Sequence, residues 1–128
     1  MNFKAQFILF LSLFARYVSG YIQDEKLDLN DVPKWIRIKN LQDPHVLTIA
    51  RFAISQFDME TGSKLRFINV VTGYRQIIEG MNYRLIIRAE DCRAHTATNY
   101  EAFVYEQDAK QYKHLMYFRK ALDDNSQE

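Results

Sequence analysis

The sequence predicts an α+β fold in which one long helix is wrapped by a four- to five-stranded antiparallel sheet. One capped segment has the 3.6-residue apolar period of an amphipathic helix, and the segments after it alternate apolar and polar residues. One helix followed by several strands is typical of a layered α+β domain. The 128 residues, 48% of them hydrophobic and 26% charged, suit one globular domain.

The first twenty residues have the pattern of an export signal. Lys4 precedes an apolar stretch over residues 5–15, and residues 18–20 (Val-Ser-Gly) offer small side chains for cleavage. This stretch is shorter than the roughly 20 apolar residues of a membrane-spanning helix. We therefore expect residues 1–20 to be a signal peptide and residues 21–128 to be a secreted domain that does not bind a membrane. A buried N-terminal helix or an uncleaved anchor is the alternative.

A short first strand is expected at residues 35–38, and the helix is expected to follow it. Asp43 is a good N-cap and Pro44 suits the first helical position. Gly62 is expected to end the helix after about Thr61. One stripe of the helix is apolar: Val46, Ile49, Ala50, Ala53, Ile54 and Phe57.

The remaining strands are predicted from alternation and from β-branched and aromatic residues. They fall at residues 65–72, 83–89, 100–105 and 112–118. Residues 90–99 are polar and are expected to form a turn between two of these strands.

Charge and residue usage exclude several classes of function. The formal net charge is +1, and no clustered basic run is present, so nucleic acid is not an expected partner. Cys92 is the single cysteine and cannot close an internal disulfide. Its position three residues before His95, in a polar segment, favours a free surface thiol over a nucleophile.

We find no pattern in the sequence that indicates an enzyme, a metal site or a cofactor. His45 and His114 have no partner at metal-ligand spacing. The four glycines are scattered and form no phosphate-binding loop.

Three segments in order carry a resemblance to a known family. Residues 49–54 (Ile-Ala-Arg-Phe-Ala-Ile) are similar to the helix signature Leu-Ala-Arg-Phe-Ala-Val of the plant cystatins. Residues 76–80 resemble their first-loop motif Gln-x-Val-x-Gly, with Ile in place of Val, and residues 100–106 resemble a later strand. The resemblance covers residues 32–119 and implies the cystatin fold.

The resemblance also implies a function, which is reversible inhibition of papain-like cysteine proteases by a monomer that occludes the active-site cleft. The inhibitor acts as a wedge of three segments and presents no scissile bond. The implied contact residues are Pro33 and Lys34 in the N-terminal segment, Gln76, Ile77, Ile78, Glu79 and Gly80 in the first loop, and Asp108 and Ala109 in the second loop. Glycine at position 80 suits a tight hairpin, and a bulky residue there is expected to block binding while leaving the fold intact.

Two departures from the family pattern leave a second function open. Pro33 and Lys34 stand where the family has Gly-Gly, and Asp108 and Ala109 stand where it has Pro-Trp. Glu79 adds a further acid to the first loop. The chain is therefore expected to be either an inhibitor of weakened potency or a cystatin-fold binding module without inhibitory activity.

Overall fold

The computed structural model describes residues 32–122, which form one helix and a five-stranded sheet. The elements in chain order are β1 (Trp35–Arg37), α1 (Pro44–Thr61), β2 (Leu65–Ile78), β3 (Gly80–Asp91), β4 (Thr96–Gln107) and β5 (Tyr112–Lys120). The predicted signal peptide, the segment that follows it and the polar tail lie outside the described residues. Within residues 32–122, no helix has both the length and the apolar character that crossing a membrane requires.

Both ends of α1 are capped as the sequence predicts. The Asp43 side chain accepts a hydrogen bond of 2.8 Å from the backbone N–H of His45. At the other end Gly62 adopts φ 73°, and its N–H donates to the carbonyl of Asp58. The predicted helix bounds are therefore confirmed.

The sheet has the order β1-β2-β3-β4-β5, and each strand is antiparallel to the next. The α+β prediction is thus confirmed, and so is the last strand. Three boundaries were wrong: β2 continues past residue 72 to Ile78, β3 begins at Gly80 rather than at residue 83, and only residues 92–95 of the expected polar turn lie outside strands. The cause is pairing, because the β3–β4 ladder runs without a break to the pair of Asp91 with Thr96.

The hydrophobic core lies between α1 and one face of the sheet. Its fully buried residues include Ile49 and Ala53 on the helix and Leu85, Ile87 and Val104 on the strands. Outside this set, Phe52 is half-buried against the core. Register shifts in the β2–β3 and β4–β5 ladders mark bulges that bend the strands.

Alternation along β4 defines the two faces of the sheet. Tyr100, Ala102, Val104 and Glu106 are buried on the face that packs against α1, here called the helix face. The residues between them lie on the opposite, outer face. Glu106 is the one charged residue in this buried set, which places an acid at the end of the core.

Candidate functional site

The three segments that the sequence implicates meet at one end of the sheet. Trp35 of β1 pairs with Gln76 of β2, so the chain leading into β1 lies beside the β2–β3 hairpin. The β4–β5 connection lies at the same end and consists of a 3-10 turn (Asp108–Lys110) and residue 111. We call this region the loop end and define it as Pro33, Lys34, residues 76–80 and residues 108–111.

Gln76 links the first two of these segments through its side chain. Its Nε2 donates to the backbone carbonyl of Pro33 at 2.9 Å, and its Oε1 accepts from Asn82 Nδ2 at 3.0 Å. Both ends of the amide are therefore used within the molecule. The bond to Pro33 fixes the backbone that leads into β1.

Gly80 is required by the fold as well as by the turn. Its φ of 109° is a conformation that side chains disfavour. A Cβ at this position would lie 2.7 Å from the carbonyl oxygen of Glu106 and 2.9 Å from the Tyr105 hydroxyl. The expectation that a bulky residue at position 80 leaves the fold intact is therefore wrong, because the side chain would meet β4 of the same molecule.

The middle of the first loop is the part exposed to solvent. Ile77 is 55% exposed, and Ile78 and Glu79 are exposed beside it. Tyr105 donates a hydrogen bond of 2.7 Å from its hydroxyl to the carbonyl of Glu79, which holds the turn against β4. The first loop thus presents two isoleucines and one carboxylate on a backbone fixed from both sides.

The second loop is short and polar. Asp108, Ala109 and Lys110 are all exposed, and Gln111 adopts the left-handed φ of 49° before Tyr112 starts β5. Pro33 and Lys34 are likewise exposed. The acids Glu79 and Asp108 thus share the loop end with the cations Lys34 and Lys110.

A buried carboxylate supports the base of the second loop. Glu106 is 4% exposed, and its Oε1 lies 2.6 Å from His45 Nε2, while Lys113 Nζ lies 3.9 Å from its Oε2. Asp108 completes a group of three whose ligand atoms lie within 4.8 Å of one another. The fold therefore gives His45 carboxylate partners that sequence spacing does not reveal. One nitrogen and two oxygens could hold a divalent cation, but the Lys113 ammonium competes for the same carboxylate.

Tyr83 packs beside this carboxylate on the helix face. Its ring lies 6.0 Å from the His45 ring. Burial, followed by the negative charges of Glu106 and Asp108, raises the pKa of Tyr83 to about 12. The phenol therefore keeps its proton to a higher pH than an exposed tyrosine does.

The turn of Cys92 and His95 lies at the opposite end of the sheet from the loop end. Cys92 is a free, exposed cysteine, as expected. The turn is closed by hydrogen bonds from Cys92 N to Lys64 O and from His95 N to Asp91 O.

Solved structures place this arrangement in a known fold class. The salivary cystatin of the soft tick Ornithodoros moubata superimposes with a TM-score of 0.61 at 19% identity, over 70% of this chain and 98% of that one. Dimeric human cystatin F gives the same TM-score at 15% identity, over 78% and 95% of the two chains. The fold is the cystatin fold.

Sequence comparisons identify the family. Cysteine proteinase inhibitor 5 of Arabidopsis thaliana is 33% identical over 121 residues, covering 94% of this chain and 95% of that protein. Cysteine proteinase inhibitor 1 of Actinidia chinensis var. chinensis is 37% identical over 86 residues, 67% and 72% of the two chains. A family model described as aspartic acid proteinase inhibitor matches residues 38–121. Together with the cystatin fold, these relatives show that the chain belongs to the plant cystatins.

Sequence reasoning missed three residues of the loop end's framework, which are Asn82, Tyr105 and Tyr112. Alternation along β4 puts Tyr105 on the outer face, and this signal was available in the sequence. The hydrogen bond of Tyr105 to Glu79 could not be predicted from the sequence, because it joins residues 26 positions apart.

Proposed function

We propose that the chain is a reversible, non-covalent inhibitor of papain-like cysteine proteases that blocks the active-site cleft with its loop end. The observation that carries this proposal is the convergence of the three segments, with Ile77 and Ile78 exposed between them. Curated relatives named cysteine proteinase inhibitors support the choice of protease class. The chain itself carries out no reaction in this mechanism.

The loop end is suited to occlusion because its backbone is fixed before binding. Gln76 holds Pro33, and Tyr105 holds the carbonyl of Glu79. A preorganised loop loses little conformational entropy when it enters a cleft. The two isoleucines then supply the apolar area that complex formation removes from water.

The departures from the family pattern predict weakened binding. Ala109 replaces an aromatic residue, and a buried aromatic is a common hot spot at interfaces. Asp108 adds a carboxylate that loses hydration when it is pressed against a partner without a cation. We therefore expect inhibition weaker than that of a plant cystatin with Gly-Gly and Pro-Trp.

Inhibition of an aspartic proteinase is the second candidate, and the description of the matching family model is what favours it. The matched residues 38–121 contain both hairpin loops of the loop end but neither Pro33 nor Lys34.

Titration of papain and of pepsin with the purified chain separates these candidates. The proposal predicts dose-dependent, reversible loss of papain activity, with full activity regained on dilution. Loss of pepsin activity alone would favour the second candidate. No inhibition of either protease by a folded chain would favour the binding module without inhibitory activity.

We further propose that the protein is a secreted monomer that does not bind membranes after signal removal. The apolar segment at residues 5–15 and the small residues at 18–20 support export. Secreted material is expected to begin at Tyr21, which N-terminal sequencing would reveal. A retained Met1 would contradict cleavage, and a dimer by gel filtration would contradict the monomer.

A further inference from the structure

We propose that Tyr112 replaces the missing aromatic anchor of the second loop and that, with Tyr105, it forms an aromatic shelf that binds an apolar surface beside the protease cleft. This inference rests on the proposed function. It extends the contact surface from the tip of the wedge onto the outer face of the sheet.

The strand register places Tyr112 in line with the first loop. Ile78 pairs with Gly80 where β2 and β3 join. Gln107 pairs with Tyr112 where β4 and β5 join. The β3–β4 ladder continues as far as the pair of Met81 with Glu106, the residues next to Gly80 and Gln107, so these two pairs lie side by side across the end of the sheet. Tyr112 is therefore part of the same edge as the first loop.

The absence of a side chain at Gly80 creates the space for the shelf. The Tyr105 hydroxyl occupies that space, since a Cβ on Gly80 would come within 2.9 Å of it. The hydroxyl also donates to the carbonyl of Glu79, which fixes the direction of the ring. Tyr105 thus connects the first loop to the aromatic group on β5.

Tyr112 is held in place by its neighbours and is still exposed. Its ring lies 6.4 Å from that of Tyr105 at 61°, and 6.3 Å from that of His114 at 4°. These are edge and stacked arrangements that favour one ring orientation. Tyr112 nevertheless remains 49% exposed. Tyrosine is among the residue types that are enriched at interface hot spots, and this ring is oriented and still half exposed.

The second loop offers no other ring for this role. Asp108, Ala109 and Lys110 form its turn, and the left-handed Gln111 then turns the chain so that Tyr112 lies opposite Gln107. Tyr112 is therefore the first aromatic residue after the turn, and it lies at the start of β5.

The test compares inhibition constants for papain measured with three variants and the unaltered chain. Tyr112→Thr removes the ring while keeping a residue that favours strands, and it is expected to raise the constant by roughly tenfold or more. Tyr112→Phe keeps the ring and should stay within about threefold of the unaltered chain. Tyr74→Thr is the matched control, because Tyr74 is a 39% exposed tyrosine of β2 that pairs with Arg37 and Arg84 and is not part of the second loop or of β5.

The outcomes distinguish this inference from the proposed function. If the unaltered chain does not inhibit papain, the proposed function fails and the shelf fails with it. If it inhibits papain and a folded Tyr112→Thr variant inhibits equally well, the proposed function stands and the shelf is wrong. Equal losses in Tyr112→Thr and Tyr74→Thr would also contradict the shelf, because the effect would then not be specific to Tyr112.

Discussion

Gly80 shows how one residue can serve the fold and the binding surface together. Its left-handed φ closes the β2–β3 turn, and its missing side chain lets Tyr105 and the Glu106 carbonyl approach. Loss of inhibition on substitution of Gly80 would therefore not by itself show contact with a protease. The effects on stability and on binding have to be measured in the same variant.

We predict that Gly80→Ala lowers the free energy of unfolding by about 1–3 kcal/mol and also weakens inhibition, because strain and a contact with β4 add. Gly62→Ala is the control. Gly62 has a φ of 73°, but a Cβ at this position would have no atom within 4 Å. The variant therefore measures the cost of backbone strain alone, far from the loop end. Urea denaturation would measure the free energy of unfolding, and titration of papain would measure the inhibition. Similar loss of stability in the two variants would contradict the contact with β4.

At the scale of elements, the helix was predictable because its signals are local. Asp43, Pro44 and Gly62 act within a turn of the helix ends, and all three have the predicted role. The lengths of the strands were not predictable in this way. β2 extends through Gly73 because its partner strand continues, and a pairing partner is not visible in the segment itself.

The residues of the loop end could be predicted from the sequence, but the hydrogen bonds that hold its segments together could not. The motif at residues 76–80 and the departures at positions 108 and 109 locate the surface. However, the side chain of Gln76 bonds Pro33, 43 positions earlier in the chain. Its role in holding the first segment therefore depends on the sheet order and could not be read from spacing.

The second loop departs from the family pattern at two positions that a variant can restore. Asp108→Pro with Ala109→Trp should tighten binding to papain by about tenfold to a hundredfold, since an aromatic anchor returns and a carboxylate leaves. The gain should appear mainly as slower dissociation. Surface plasmon resonance would measure both rates. Equal or weaker binding by a folded double variant would show that this turn does not reach the protease.

At the scale of the whole molecule, the described fold depends on its core and its ionisable groups rather than on cross-links. Cys92 is free, so the packing of α1 against the sheet carries the stability. Burial raises the pKa values of Tyr83, Tyr100 and Tyr117, and nearby carboxylates add to this effect in each case. Because of these three phenols, the free energy of unfolding is expected to depend on pH in the alkaline range.

We predict that the free energy of unfolding falls as pH rises from about 10 to 12. In this window the unfolded chain releases the Tyr83 proton at its ordinary pKa of 10.0, while the folded chain still retains it up to about 12. The stabilisation is therefore complete below pH 10. Tyr83→Phe, followed by urea denaturation at several pH values, should show a shallower fall. An identical fall in the variant would contradict the assignment to Tyr83.

We propose that the loop end fills the cleft of a papain-like protease without bonding to the protease's thiol. The most direct test is the dissociation constant for three forms of papain: free, with the thiol capped by a methylthio group, and with the cleft filled by a covalent peptide inhibitor. We predict similar constants for the first two forms and loss of binding to the third. Equal binding to the filled cleft, or binding that requires the free thiol, would contradict occlusion of the cleft by the loop end.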